Sequence, residues 1–134
     1  RPLMRVYLDA CVLIYRVEGA PELRAAVGAA LAARAPEDTA CISDLVRMEC
    51  LVKPLRAHDL ALRAAYDTQF DALERLPMLP AVFDIAAELR ATSSLRTPDA
   101  LHAACAIHHG CGELWTNDER LLAVAPRIPT RMVR

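Results

Sequence analysis

The stretch Met4-Arg5-Val6-Tyr7-Leu8-Asp9-Ala10-Cys11-Val12-Leu13-Ile14-Tyr15 decides the fold. Met4 to Leu8 is a short, apolar, β-prone run that stops at Asp9. Cys11 to Tyr15 follows at once, and Gly19-Ala20-Pro21 then punctuates the chain. Further along, Glu22 to Arg34 is rich in Ala and Leu at helical spacing, and Thr39 to Ile42 is a second strand candidate. Ser43 is a good helix N-cap, and the spacing predicts a helix from there to Lys53, ended by Pro54. Asp59 to Leu76 reads as a longer amphipathic helix, Pro77 to Pro80 as a very short strand at best, and Ala81 to Leu95 as helix. Thr97-Pro98-Asp99 has the cap, proline and acidic first turn of a helix start. Leu114-Trp115-Thr116 is a strand candidate with a short helix from Asp118, and Arg127 to Val133 can add an edge strand. Short apolar strands alternating with helices predict an α/β three-layer sandwich around a mostly parallel central sheet.

With 134 residues and neither repeats nor linker-like stretches, the chain reads as one domain spanning residues 1–134. It is 54% hydrophobic and 25% charged, which excludes a disordered or low-complexity protein. A net charge of -1 excludes a general coat of positive charge, so a polyanionic partner has to meet a local patch. No apolar run approaches the roughly 18 residues that span a bilayer, and the N-terminus lacks a signal-peptide layout. Five cysteines without a C-x-x-C motif suit a reducing compartment, so the expectation is a soluble, cytoplasmic domain with no membrane contact.

In open parallel sheets, ligands bind beyond the carboxyl ends of the strands. Asp9 closes the first strand and sits at that edge, where it is also a natural helix N-cap. Glu49 shares a helix face with Leu45, Val46 and Val52, so its carboxylate interrupts an apolar stripe. Such a carboxylate needs a cation, either a metal or an arginine. Asp99 falls in the first turn of its helix, and Asp118 lies in Thr116-Asn117-Asp118-Glu119, which also reads as a capping box. Converging carboxylates repel, and a cluster of hard oxygen ligands suits Mg²⁺ or Mn²⁺. Such an ion is the usual apparatus of phosphodiester hydrolysis.

Leu8-Asp9 with Val12 to Tyr15, Ile42-Ser43-Asp44-Leu45 with Arg47-Met48-Glu49, Pro98-Asp99-Ala100-Leu101-His102 and Thr116-Asn117-Asp118 together resemble the PIN domain, most closely its VapC-like toxins. The resemblance runs from about Met4 to the C-terminus with the motifs in family order. It implies a PIN-like (Rossmann-like) fold and a Mg²⁺- or Mn²⁺-dependent endoribonuclease acting on single-stranded RNA regions. It further implies a homodimer inhibited by a cognate antitoxin protein. By this likeness Asp9, Glu49, Asp99 and Asp118 are the catalytic, metal-holding residues. Ser43, Asn117, Arg96 and His102 are polar neighbours that support the carboxylates or touch RNA. Ala10 stands where the family commonly carries a small polar residue beside the first aspartate, which removes one expected hydrogen bond there.

Other readings fit less well. His102, Cys105 and His109 share a helix face, but Cys105 lies among Leu101, Ala104 and Ala106, which favours core packing over zinc. Cys11 has no obvious base in its segment and reads as a buried side chain. Phosphoreceiver domains and aspartyl-phosphate hydrolases also end their first strand in Asp, but need a late lysine, and Lys53 is the only lysine here. Four glycines supply neither G-x-G-x-x-G nor a phosphate loop. Arg47, Arg96 and Arg120 lie beside motif positions and serve either phosphates or surplus carboxylates. Leu62, Tyr66, Leu73 and Leu76 form a face that packs inward or docks an antitoxin helix. The alternative function is a catalytically silent PIN-like module that binds RNA or protein; such a module has no need of all four carboxylates.

Overall fold

In the first strand, β1 (Arg5–Leu8), Val6, Tyr7 and Leu8 are all fully buried. Successive strand side chains point to opposite faces, so both faces of the sheet are covered. The same holds for β2 (Thr39–Ile42) and β4 (Glu113–Thr116), each with three consecutive buried residues. The computed structural model describes residues 3–134. A five-stranded sheet runs in the order β3-β2-β1-β4-β5, with β3 at Glu74–Arg75 and β5 at Thr130–Met132. Every pairing is parallel, including Tyr7 with Cys41 and Leu8 with Trp115. Parallel pairing requires crossover connections, and these are the helices α1 (Ala10–Glu18), α2 (Pro21–Ala32), α3 (Asp44–Arg56), α4 (Leu60–Asp71), α5 (Pro80–Ala91) and α6 (Thr97–His108). A 3-10 helix, Glu119–Val124, joins β4 to β5. Among the described residues no helix is long and apolar enough to cross a membrane.

The α/β sandwich with a parallel sheet is as expected, while three local readings change. The third strand is Glu74–Arg75, inside the segment predicted as helix and not at Pro77 to Pro80. Leu73 and Leu76 continue the helical spacing of α4, but α4 ends at Asp71, and Leu76 N–H donates to the Ile42 carbonyl (2.7 Å). Sheet pairing therefore takes over where the apolar spacing still looked helical. Pro54 does not end α3, which continues to Arg56 with the proline buried. The missing Pro54 N–H falls close to the end of the helix, so a single bond is lost and ring packing compensates. The helix predicted to run to Leu95 stops at Ala91, and Ser93 Oγ donates to the Leu89 carbonyl (2.6 Å), competing for the helix end.

The face of Leu62, Tyr66, Leu73 and Leu76 packs inward: Tyr66 and Leu76 are buried and the other two pack against the core. After α6, Gly110 adopts φ 67°, the left-handed conformation that lets the chain turn back into β4. Leu114 is fully buried on β4, an interior strand of the sheet. Leu114→Ala is expected to cost about 3 kcal/mol in chemical denaturation, the usual size for a core leucine that cannot be refilled.

Candidate metal centre

In an all-parallel sheet the carboxyl ends of the strands share one edge, and the order reverses direction between β1 and β4. Asp9 follows β1 at this point, with its N–H donating to the Trp115 carbonyl (3.0 Å). The residue is only 7% exposed, so its carboxylate needs partners. Oδ1 accepts from Ala10 N–H (2.7 Å), and Oδ2 accepts from the Thr116 hydroxyl (2.8 Å) and the Cys11 thiol (3.5 Å). Asp9 is thus a helix cap as well as a cleft residue. The Thr116 hydroxyl reaches Asp9 from the neighbouring strand β4.

Helix α6 brings Asp99 and His102 to the same region, since residues three apart share a helix face. The helix opens at Thr97, but Arg96 is the capping residue and makes no side-chain cap, so Thr97 is not the cap. Asp99 is 7% exposed, and its Oδ2 accepts no hydrogen bond, although the Arg96 guanidinium lies 3.5 Å away. His102 is buried, with Nε2 hydrogen-bonded to Glu49 Oε1 and 3.5 Å from Asp9 Oδ1. Nδ1 meets the Tyr7 hydroxyl (2.8 Å), which in turn meets Ser43 Oγ (2.7 Å). Ser43 stands at the N-cap position of α3 but turns its hydroxyl to Tyr7 and does not cap the helix. Burial pushes the Tyr7 hydroxyl well above its usual range, so it remains an O–H.

Glu49 faces His102, not an arginine, and its side chain is 32% exposed at the cleft wall. Val52, expected on the same buried stripe, is instead 40% exposed. Asp118 caps the 3-10 helix through Arg120 N–H (3.0 Å), and the Arg120 side chain grips both carboxylate oxygens, with Nη2 at 2.7 Å from Oδ2. The Arg120 guanidinium holds the Asp118 carboxyl below its ordinary value. Asn117 donates from Nδ2 to the Tyr15 hydroxyl (2.7 Å), and its Oδ1 is buried without a partner.

Asp9, Glu49, Asp99, Asn117, Asp118 and Arg96 line one open cleft of about 590 Å³. Ligand atoms of Asp9 and Glu49, which line it, and of the buried His102 all lie within 4.8 Å of one another, a group able to hold a metal ion. The donor set, with an Asp99 oxygen that accepts no hydrogen bond, fits a divalent cation. Of the other arginines, Arg47 leaves the cleft to pair with Asp44 (3.4 Å) and stack over Phe70. The zinc arrangement does not assemble: Cys105 is in the core and His109 Nε2 meets the Pro77 carbonyl (2.8 Å). Burial and the nearby Asp9 carboxylate push the Cys11 thiol up to about 12, which leaves it protonated and unreactive.

The chain matches the PIN domain family over residues 6–126. It belongs to the PIN domain family. Among solved structures, its fold is similar to a chain of VapBC2 from Rickettsia felis bound to a promoter DNA fragment (TM-score 0.84, 19% identity, 98% of this chain and 100% of that one). It is also similar to a chain of a toxin–antitoxin complex from Klebsiella pneumoniae (TM-score 0.75, 23% identity, 92% and 94%). A third is VapC20 of Mycobacterium tuberculosis, a sarcin–ricin loop cleaving toxin (TM-score 0.72, 15% identity, 94% and 98%). No curated protein sequence matches the chain. This PIN domain therefore has the VapC-like fold.

Thr116, Tyr7 and Tyr15 were not singled out from the sequence as parts of the site. A tyrosine inside a buried strand needs a partner for its hydroxyl, and that signal was available for Tyr7. Nothing local marks Thr116, which becomes a donor to Asp9 only through the pairing of β1 with β4.

The Arg120 grip makes a pH prediction. In Arg120→Ala the Asp118 carboxyl is expected to titrate at a higher, ordinary value, as read by carboxyl-resolved NMR. Because the folded value lies below the unfolded one of about 3.9, Asp118 stabilises the fold above that pH. This contribution is lost as pH falls through the folded value, so Arg120→Ala is expected to lose less stability on acidification than the parent.

Proposed function

We propose that the protein is a divalent-metal-dependent endoribonuclease cleaving single-stranded regions of RNA, and that it acts as the toxin of a toxin–antitoxin pair. The observation that carries this reading is the meeting of Asp9, Glu49 and His102 at the topological switch point, beside a cleft that Asp99 and Asp118 also line. Asp9, Glu49, Asp99 and Asp118 would hold Mg²⁺ or Mn²⁺, with Asp9 and Glu49 already adjacent. When bound, such an ion supplies a water nucleophile and stabilises charge on the reacting phosphate.

The chain's own residues prepare that chemistry. Thr116, Cys11 and Ala10 N–H fix the Asp9 carboxylate, so little rearrangement is left for the moment of binding. Arg120 occupies Asp118, so to hold a cation Asp118 would have to give up its guanidinium partner. Arg96, 64% exposed beside Asp99, is placed to meet a phosphate that enters the cleft. The likeness to toxin–antitoxin complexes supports an antitoxin partner, and the exposed Met48, Val52 and Leu55 on α3 offer apolar surface for a protein partner or a second copy. The full proposal is one cytoplasmic PIN domain that forms a homodimer.

The silent-module alternative lacks a comparable observation, because a binding module gains nothing from carboxylates converged around a buried imidazole. End-labelled single-stranded RNA in Mn²⁺ is expected to be cut, with EDTA abolishing the reaction. Asp99→Asn, folded by circular dichroism, is expected to lose at least about 100-fold in rate. Failure of the folded wild type to cut a broad pool of cellular RNA with either ion would select the silent module. RNA binding, read with EDTA present, is expected to weaken as salt rises; a salt-independent affinity would argue against phosphate contacts.

A further inference from the structure

A single buried nitrogen stands against two of the carboxylates that line the cleft. His102 Nε2 lies with Asp9 and Glu49 carboxylate oxygens in one group whose members are within 4.8 Å of one another, and His102 is 1% exposed. We propose that His102 Nε2 is itself a ligand of the cation held by Asp9 and Glu49, so that the site favours a first-row transition ion over Mg²⁺. The proposal rests on the metal-dependent reading above and gives His102 a role beyond supporting the carboxylates.

In the tautomer with the proton on Nε2, Glu49 accepts from Nε2–H, Nδ1 accepts from the Tyr7 hydroxyl, and that hydroxyl accepts from Ser43. For Nε2 to ligate, its proton must sit on Nδ1 instead. The Tyr7 hydroxyl then accepts from Nδ1–H and turns its own proton to Ser43 Oγ. Hydroxyls donate or accept by rotation, so the contacts among Nδ1, Tyr7 and Ser43 serve both tautomers, while the Nε2–Glu49 hydrogen bond is given up and the two groups draw apart to admit the ion. A metal-ligating histidine whose other nitrogen donates to a fixed oxygen is the usual arrangement at protein metal sites.

A second observation is independent of the ring. Asp99 Oδ2 belongs to a residue more than nine-tenths buried that lines the same cleft, and it accepts no hydrogen bond. Asp99 and His102, three residues apart on α6, therefore present from one helix an oxygen held only by the ion pair with the exposed Arg96 and a convertible nitrogen. Mg²⁺ prefers oxygen and water throughout its coordination shell, whereas imidazole suits transition ions, so one nitrogen shifts the preference.

The test uses the full, untagged chain with Mn²⁺ as the spectroscopic probe. Pulsed EPR of the bound ion is expected to show coupling to a histidine nitrogen, with the ¹⁴N pattern replaced by ¹⁵N when the chain is grown with ¹⁵N-histidine. His102→Gln is expected to lose that coupling and to bind Mn²⁺ at least about tenfold more weakly, with a smaller change for Mg²⁺. Tyr7→Phe keeps the ring, and is expected to retain the coupling with a Mn²⁺ affinity reduced by about tenfold. Bound Mn²⁺ without histidine coupling in the wild type overturns the ligand assignment and leaves the nuclease reading standing. Absence of Mn²⁺ binding altogether overturns both. If His102→Gln does not fold, the labelled wild type decides the question alone.

Discussion

The Asp9 carboxylate, buried at the carboxyl end of the first strand, is the constraint around which the cleft is arranged. A buried carboxylate is tolerated only where donors meet it. Here those donors come from the next residue on the chain, from the turn of α1 and from the neighbouring strand β4. The Thr116 hydroxyl joins two of the motif carboxylate segments, because it donates to Asp9 and also accepts from Asp118 N–H (3.0 Å). On the other side His102 stands between Asp9 and Glu49, its ring held from behind by Tyr7 and Ser43. The two carboxylates are thus brought together by groups that can only donate or can do both. A cation entering between them finds the oxygens already converged.

The parallel sheet explains why these residues meet at all. Asp9, Ser43 and Asn117 each follow the last residue of a strand, so the topology delivers all three to one edge. Glu49, Asp99 and His102 reach the same edge from helices. The order reversal at β1 leaves a crevice there that no crossover helix fills, and the cleft occupies it.

Much of this was legible in the sequence. Short apolar runs ending in Asp9, Ser43 and Thr116 announce parallel strands and their carboxyl edge, and the acidic positions follow from that edge. Glu49 was legible as a carboxylate out of place on its helix, although its partner is His102 and not an arginine. The two-residue strand β3 was not legible, because Leu73 and Leu76 satisfy helical spacing equally well and only pairing with β2 distinguishes them. The contributions of Thr116, Tyr7 and Tyr15 depend on contacts between segments distant in the chain, which local patterns do not encode. Arg120 shows the reverse case. Its place beside Asp118 was evident, but whether it served a phosphate or a carboxylate required the fork of contacts the structure displays.

The central claim is that a divalent cation occupies the space between Asp9, Glu49 and Asp99. Anomalous scattering from crystals soaked in Mn²⁺ reads this directly. The account predicts one strong anomalous peak in the cleft, in contact with the Asp9 and Glu49 carboxylates and adjacent to Asp99. Fully soaked crystals with an open cleft and no anomalous peak there would contradict it.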